Sequence, residues 1–399
     1  MSGRVYLDNQ ATTRVDPRVV DTMLPYFGEH YGNAGSVNHA FGWEAAEAVK
    51  QAAAEIATTI GARPQEIIFT SGATESNNLA LFGVAGNRRR RGNHLVSVCS
   101  EHKAVLDPLT HLKRREMEAT LLPVASQQSP RPGTITAEQV AAAIRDDTAL
   151  VSVMLVNNEI GVVQPLDEIG ALCKERGVLL HTDAAQAVGK IPIDVQQLGV
   201  DLLSFSGHKI YGPRGIGALY VRRRDPHVRL EPQILGGGHQ QGLRSGTPNV
   251  PGIVGLARAV TLCAEEMANE TPRLAKLRQM LFEKLTEHLS GVTLNGPPLE
   301  DLALRWAGNL NLQFAYVDGE ALLMSTGGVL AVSSGSACTS ANPEPSHVLR
   351  ALGLSDDAVR SSLRFGLGRF TSAADIDFAV EELTTAVTRL RKLSSLAGE

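Results

Sequence analysis

Short apolar runs alternate with amphipathic stretches through the first two-thirds of the chain. Glu66-Ile67-Ile68-Phe69-Thr70, Leu95 to Cys99, Ala149 to Val156, Val178 to Thr182 and Asp201 to Phe205 each have the length and content of a buried strand. Thr74 to Leu81 and Leu166 to Arg176 read as helices among them. Strands alternating with helices predict an α/β fold with a mostly parallel sheet and helices on both faces. The last third differs. Leu274, Leu277, Leu281 and Leu285 fall at helical spacing, and Gly291 is a stop. Ile376, Val380, Leu383, Val387 and Leu390 repeat at four and three, with Ser372 and Asp375 placed as a capping box. These patterns predict a large domain over residues 15–257 and a smaller α+β domain over 258–399. The N-terminal segment 1–14 is expected to pack on the smaller one.

Composition narrows the class. The 399 residues carry 38 basic and 42 acidic side chains, a net charge of −4, so no large cationic field is available for nucleic acid. No apolar run approaches the roughly 18 residues of a membrane span. The first residues lack the apolar core of a secretory signal, which makes the cytoplasm the expected compartment. Cys99, Cys173, Cys263 and Cys338 stand alone with no CxxC pair, against a structural zinc site or a disulfide framework.

A parallel sheet binds ligands at the carboxyl ends of its strands. Two such ends carry informative chemistry. Ser204-Phe205-Ser206-Gly207-His208-Lys209 places a lysine in a loop after an apolar run, and His181-Thr182-Asp183-Ala184-Ala185-Gln186 places an acid at the end of another. This pair is what pyridoxal phosphate (PLP) needs. The lysine forms a Schiff base with the aldehyde, and the carboxylate keeps the pyridine nitrogen protonated so that the ring accepts electrons. Thr70-Ser71-Gly72-Ala73-Thr74-Glu75 lies where a strand gives way to a helix, and free N–H groups there suit a phosphate. Ser206 and His208 add donors from the lysine loop. Taken singly, the turn is a common helix cap, the aspartate a turn residue and the lysine a surface charge. Their ordered combination is what points to PLP.

The chain resembles the fold-type I PLP enzymes of the class-V aminotransferase group, and within them the group I cysteine desulfurases of the IscS/NifS type. The resemblance rests on Tyr6-Leu7-Asp8-Asn9-Gln10-Ala11-Thr12-Thr13, Thr70 to Leu79, Glu101-His102-Lys103-Ala104-Val105, Val156 to Gly161, Ser206 to Lys209, Arg244-Ser245-Gly246-Thr247 and Ser333 to Ser340. It implies that Lys209 carries the cofactor, Asp183 pairs with the pyridine nitrogen, Gln186 bonds the phenolic oxygen and His102 stacks on the ring. Ala73, Thr74, Ser206 and His208 would hold the phosphate, with Thr247 reaching in from the partner of a homodimer. Asn158 and Arg364 would contact cofactor and substrate, Arg364 gripping the carboxylate with a fork that can bond bidentately.

Cys338 separates a desulfurase from other enzymes on the same fold. It lies among small and polar residues between Gly335 and Pro343, where little can be buried, unlike a structural thiol. By resemblance, L-cysteine displaces Lys209, Lys209 removes the α-proton, and the Cys338 thiolate takes the sulfur as a persulfide while alanine leaves. The sulfur then goes to an acceptor protein serving iron–sulfur cluster assembly or tRNA thiolation. Cys338 would also act as a transient iron–sulfur ligand shared with a scaffold. An aminotransferase needs no such thiol. A selenocysteine lyase would use the same route, and a non-catalytic sulfur carrier would lack the lysine or the thiol.

Overall fold

The computed structural model describes residues 3–87, 92–334 and 345–393. Seven strands form the main sheet in the order Ile67–Thr70, Gly217–Val221, Leu202–Ser206, Leu179–Asp183, Thr148–Ser152, His94–Val98 and Glu118–Leu122. From Leu202–Ser206 to Glu118–Leu122 every pairing is parallel, and only Gly217–Val221 runs antiparallel to both neighbours.

Adjacent residues on a strand point to opposite faces. Phe69, Leu180, Leu203 and Tyr220 therefore join one core, and Ile68, Leu179, Leu202 and Leu219 join the other. The first core is completed by Ile56, Ile169 and Leu256, from helices Ala40–Ile60, Leu166–Glu175 and Val250–His288. Helices Ala73–Gly86 and Lys103–Lys113 supply Leu81, Val84, Val105 and Leu109 to the second. Burial on both faces explains why the strands read as near-continuous apolar runs.

All five strands expected from those runs form, although Ala149 to Val156 yields only Thr148–Ser152. Two further strands gave no such signal. Glu118–Leu122 is a half-exposed edge, and Gly217–Val221 follows the lysine loop closely. Helix Val250–His288 starts at Asn249, whose side chain accepts from the Gly252 N–H, and runs unbroken across position 257. The expected boundary at 257/258 therefore falls inside one helix.

The last third of the chain holds an antiparallel sheet in the order Ser333–Ser334, Ser362–Gly366, Asn309–Phe314 and Val292–Leu294. Helix Ala373–Leu393 buries Ile376, Val380, Leu383 and Val387, and Ser372 and Asp375 bond reciprocally at its start. Val5–Tyr6 pairs in parallel with Leu330–Ala331, and Asp8 bridges to Gly366. The chain then passes to the lysine loop, where Thr13 donates to the His208 carbonyl through both its N–H (2.8 Å) and its hydroxyl (3.0 Å).

Candidate active site

A cavity of about 480 Å³ opens at the carboxyl end of the parallel strands. Ala73, Thr74, His102, Asn158, Asp183, Gln186, Ser206, His208, Lys209 and Arg364 all line it.

Asp183 ends its strand, almost fully buried. One carboxylate oxygen accepts from Asn77 Nδ2 (2.7 Å) and the other from the Ala185 N–H (2.9 Å). Both carboxylate oxygens are thus fixed by donors from the protein. Lys209 closes a single 3₁₀ turn after the next strand, and its Nζ donates to the carbonyls of Gln10 (2.7 Å) and Ala11 (2.8 Å). The N-terminal segment therefore fixes the lysine at the cavity wall.

The phosphate turn owes its shape to glycine. Gly72 has φ of 154°, and a Cβ on Gly217 of the adjoining strand would come within 2.7 Å of its Cα. Helix Ala73–Gly86 begins directly after it, so the Ala73 and Thr74 N–H groups have no intrahelical partner. No hydrogen bond among the described residues engages either. Glu75 is taken up elsewhere, by the Ser71 N–H (2.8 Å) and Arg244 (2.9 Å).

Both site histidines are held neutral near pH 7. His208 is pushed down to about 4, first by burial and then by the charge of Lys209, and its Nδ1 meets the Thr12 hydroxyl at 3.2 Å. His102 is also lowered, chiefly by burial. Its Nδ1 accepts from the Ala104 N–H (3.0 Å), so it caps helix Lys103–Lys113 and the ring proton sits on Nε2.

On the opposite wall, Arg364 donates to the Asn158 carbonyl (3.0 Å) and pairs with Asp8 (2.9 Å). Gln10 Nε2 also donates to the Asn158 carbonyl, at 3.2 Å. Among the described residues, Arg364 Nε and Asn158 Oδ1 are buried without a partner. Such atoms cost roughly 1–3 kcal/mol each when left unmade, and a bound group that completes them offsets that cost.

The class-V aminotransferase family model matches residues 5–378. The chain belongs to that family. It is 54% identical over 394 residues, 98% of this chain and 76% of the relative, to a mitochondrial cysteine desulfurase of Arthroderma benhamiae. It is 52% identical over 392 residues, 98% of this chain and 94% of the relative, to the cysteine desulfurase IscS of Anaeromyxobacter dehalogenans. A solved structure titled SspA in complex with cysteine superimposes with a TM-score of 0.78 at 39% identity, covering 92% of this chain and all of that one.

Class-V aminotransferases are PLP enzymes, and this cavity fits the group. The unengaged Ala73 and Thr74 N–H groups suit a phosphate, Asp183 suits a ring N–H, and Lys209 suits an aldehyde. Thr247 is exposed and does not line the cavity of its own chain. Cys338 lies outside the described residues, among which no group of His, Cys, Asp and Glu could hold a metal ion. No described helix is long and apolar enough to cross a membrane. Cys173 and Cys263 are buried and pushed up to about 12 by desolvation, and Cys99 is raised by the same cause. None of these three lines the cavity.

Sequence reasoning missed several residues that hold this family's site together. Asn77, Arg214, Gln10 and Asp8 touch the cavity or its liners, and Lys190 donates to Gln186 Oε1. Gln10, Asp8 and Asn77 stand within the matched motifs, so position there was the only available signal. Arg214 and Lys190 gave none.

Proposed function

We propose that the protein is a PLP-dependent cysteine desulfurase that removes sulfur from L-cysteine, giving L-alanine and a persulfide on Cys338. The observation that carries the reading is Lys209 and Asp183 facing one cavity whose floor ends in the open N-terminus of helix Ala73–Gly86. When bound, PLP supplies an electron-poor ring that stabilises negative charge at the substrate's α-carbon. Lys209 holds the group and, once released by the incoming amine, accepts the α-proton at Nζ. Asp183 presents fixed negative charge to the ring nitrogen. The neutral His102 offers its Nε2 proton over the cavity, and His208 and Ser206 border the phosphate turn. Arg364 takes the substrate carboxylate through its unpartnered Nε, beside the unpartnered Asn158 Oδ1.

Cys338 completes the reaction as nucleophile toward the substrate sulfur. Ser333 stands opposite Arg364 in the small sheet. Cys338 stands four positions after Ser334, a reach of up to about 14 Å for extended chain. That reach is long enough to span from the strand beside Arg364 to the cavity that Arg364 lines. The buried thiols of Cys173 and Cys263 are protonated at neutral pH and have no comparable access.

The working form is proposed as a homodimer in which Thr247 serves the partner's cavity. Leu24, Phe27, Tyr31, Val37, Phe41 and Trp43 are all at least half exposed, a concentration of apolar surface that suits such an interface. The persulfide would pass in the cytoplasm to an acceptor protein, an iron–sulfur scaffold first or a thiolation protein, with Cys338 as the transient shared ligand. A direct assay tests the reading. Purified protein given L-cysteine and a thiol reductant should yield alanine and sulfide in equal amounts. Cys338→Ala should keep the yellow cofactor and lose sulfide production at least about a hundredfold. Unchanged sulfide release by that variant refutes the thiol assignment.

A further inference from the structure

Behind the ring site lies a second lysine that the reaction does not use. Lys190 Nζ sits 4.5 Å from the centroid of the Trp306 ring and donates to Gln186 Oε1. The other end of the same amide, Gln186 Nε2, donates to the Gln10 carbonyl at 2.9 Å. Lys209 Nζ donates to that same carbonyl. A line of contacts therefore runs from the Trp306 face through Lys190, Gln186 and Gln10 to the cofactor lysine.

The two ends of the amide are settled by chemistry. A carbonyl oxygen only accepts, so the group facing Gln10 must be the NH2. An amine donates in either protonation state, so Oε1 is the natural partner of Lys190 Nζ. The aromatic face supports the amine from the other side. With Oε1 held away, Gln186 spends one Nε2 hydrogen on Gln10 and keeps the second at the cavity wall.

We propose that Lys190 is a positioning residue that fixes the Gln186 side chain so that it offers an N–H, and not its carbonyl oxygen, to the phenolic oxygen of the cofactor. The inference rests on the PLP reading above. Without the lysine only the Gln10 carbonyl orients the amide, and the second Nε2 hydrogen is held less firmly toward the phenolic oxygen. The surroundings agree with a role inside the site. Burial first, then the charges of Lys209 and Arg364, hold Lys190 well below the usual lysine range, against an opposing contribution from Cys263.

A donor at the phenolic oxygen draws charge from it and eases proton loss from the linkage to Lys209. Losing the donor raises the pH at which the visible band of the bound cofactor changes. Absorbance titration of the holoenzyme, with no substrate present, reads this directly. Lys190→Met and Gln186→Leu should each raise the midpoint by about one pH unit. Lys190→Met in the Gln186→Leu background should add nothing, since both act through one contact. Lys190→Arg, which still donates to Oε1, should keep the wild-type midpoint, and it stands in if the methionine variant does not fold. An unshifted Lys190→Met, a further shift in the double variant, or an arginine variant shifted as far as Gln186→Leu overturns the inference. The PLP reading fails separately, if the wild-type protein shows no visible band after incubation with PLP.

Discussion

On the sheet side of the cavity, Asp183, Ser206 and the turn before Ala73 stand at the ends of three strands of the main sheet, each held close to where the chain emerges. Asp183 accepts from an N–H two residues on, and the phosphate turn is shaped by two glycines packed against each other. On the opposite side, Arg364, Asn158 and Gln10 are held by one another across 206 and 148 residues of sequence. The first wall has its carboxylate paired and its backbone donors ready for an anion. The second keeps buried polar atoms without partners, and its guanidinium is ion-paired with Asp8. A permanent cofactor needs the first kind of wall. A substrate that arrives and leaves as alanine suits the second, where contacts are completed for part of each cycle.

The largest effect should come from the sheet side. Lys209→Ala removes the proposed attachment point and the proposed base, so the visible band of lysine-bound cofactor should vanish and turnover should fall about a thousandfold or more. Retained turnover would place the base elsewhere and erase the contrast between the walls. A smaller effect belongs to the opposite wall. Arg364→Lys keeps the charge but cannot hold the Asn158 carbonyl, Asp8 and a carboxylate together. KM for L-cysteine should rise roughly tenfold with the cofactor spectrum unchanged. A changed spectrum with an unchanged KM would move Arg364 to the cofactor side.

The same contrast explains what the sequence disclosed. Strands buried on both faces are continuous apolar runs, so the core of the sheet and the polar residues after Thr182 and Phe205 could be placed from pattern alone. The edge strand Glu118–Leu122 is half exposed and carries no such run. Gly217–Val221 is as long and as fully buried as Leu202–Ser206, and its antiparallel pairing with strands on both sides is what the folded chain adds. Helix Val250–His288 crosses the expected domain boundary because apolar spacing from Leu274 onward marks only its second half. Asn77, Lys190 and Asp8 act through partners distant in the chain, apart from the step from Lys190 to Gln186. Gly189-Lys190-Ile191 reads as an ordinary loop until Trp306 and Gln186 are seen beside it. The motifs carried the resemblance, but the contacts between walls required the folded chain.

Two lysines flank the ring site within one line of contacts, Lys209 as the proposed attachment point and Lys190 as the proposed positioning residue. Borohydride reduction of the PLP-loaded protein, followed by peptide mass mapping, distinguishes them. The prediction is a pyridoxyl group on Lys209 alone. A label on Lys190, or on no lysine, would contradict the account.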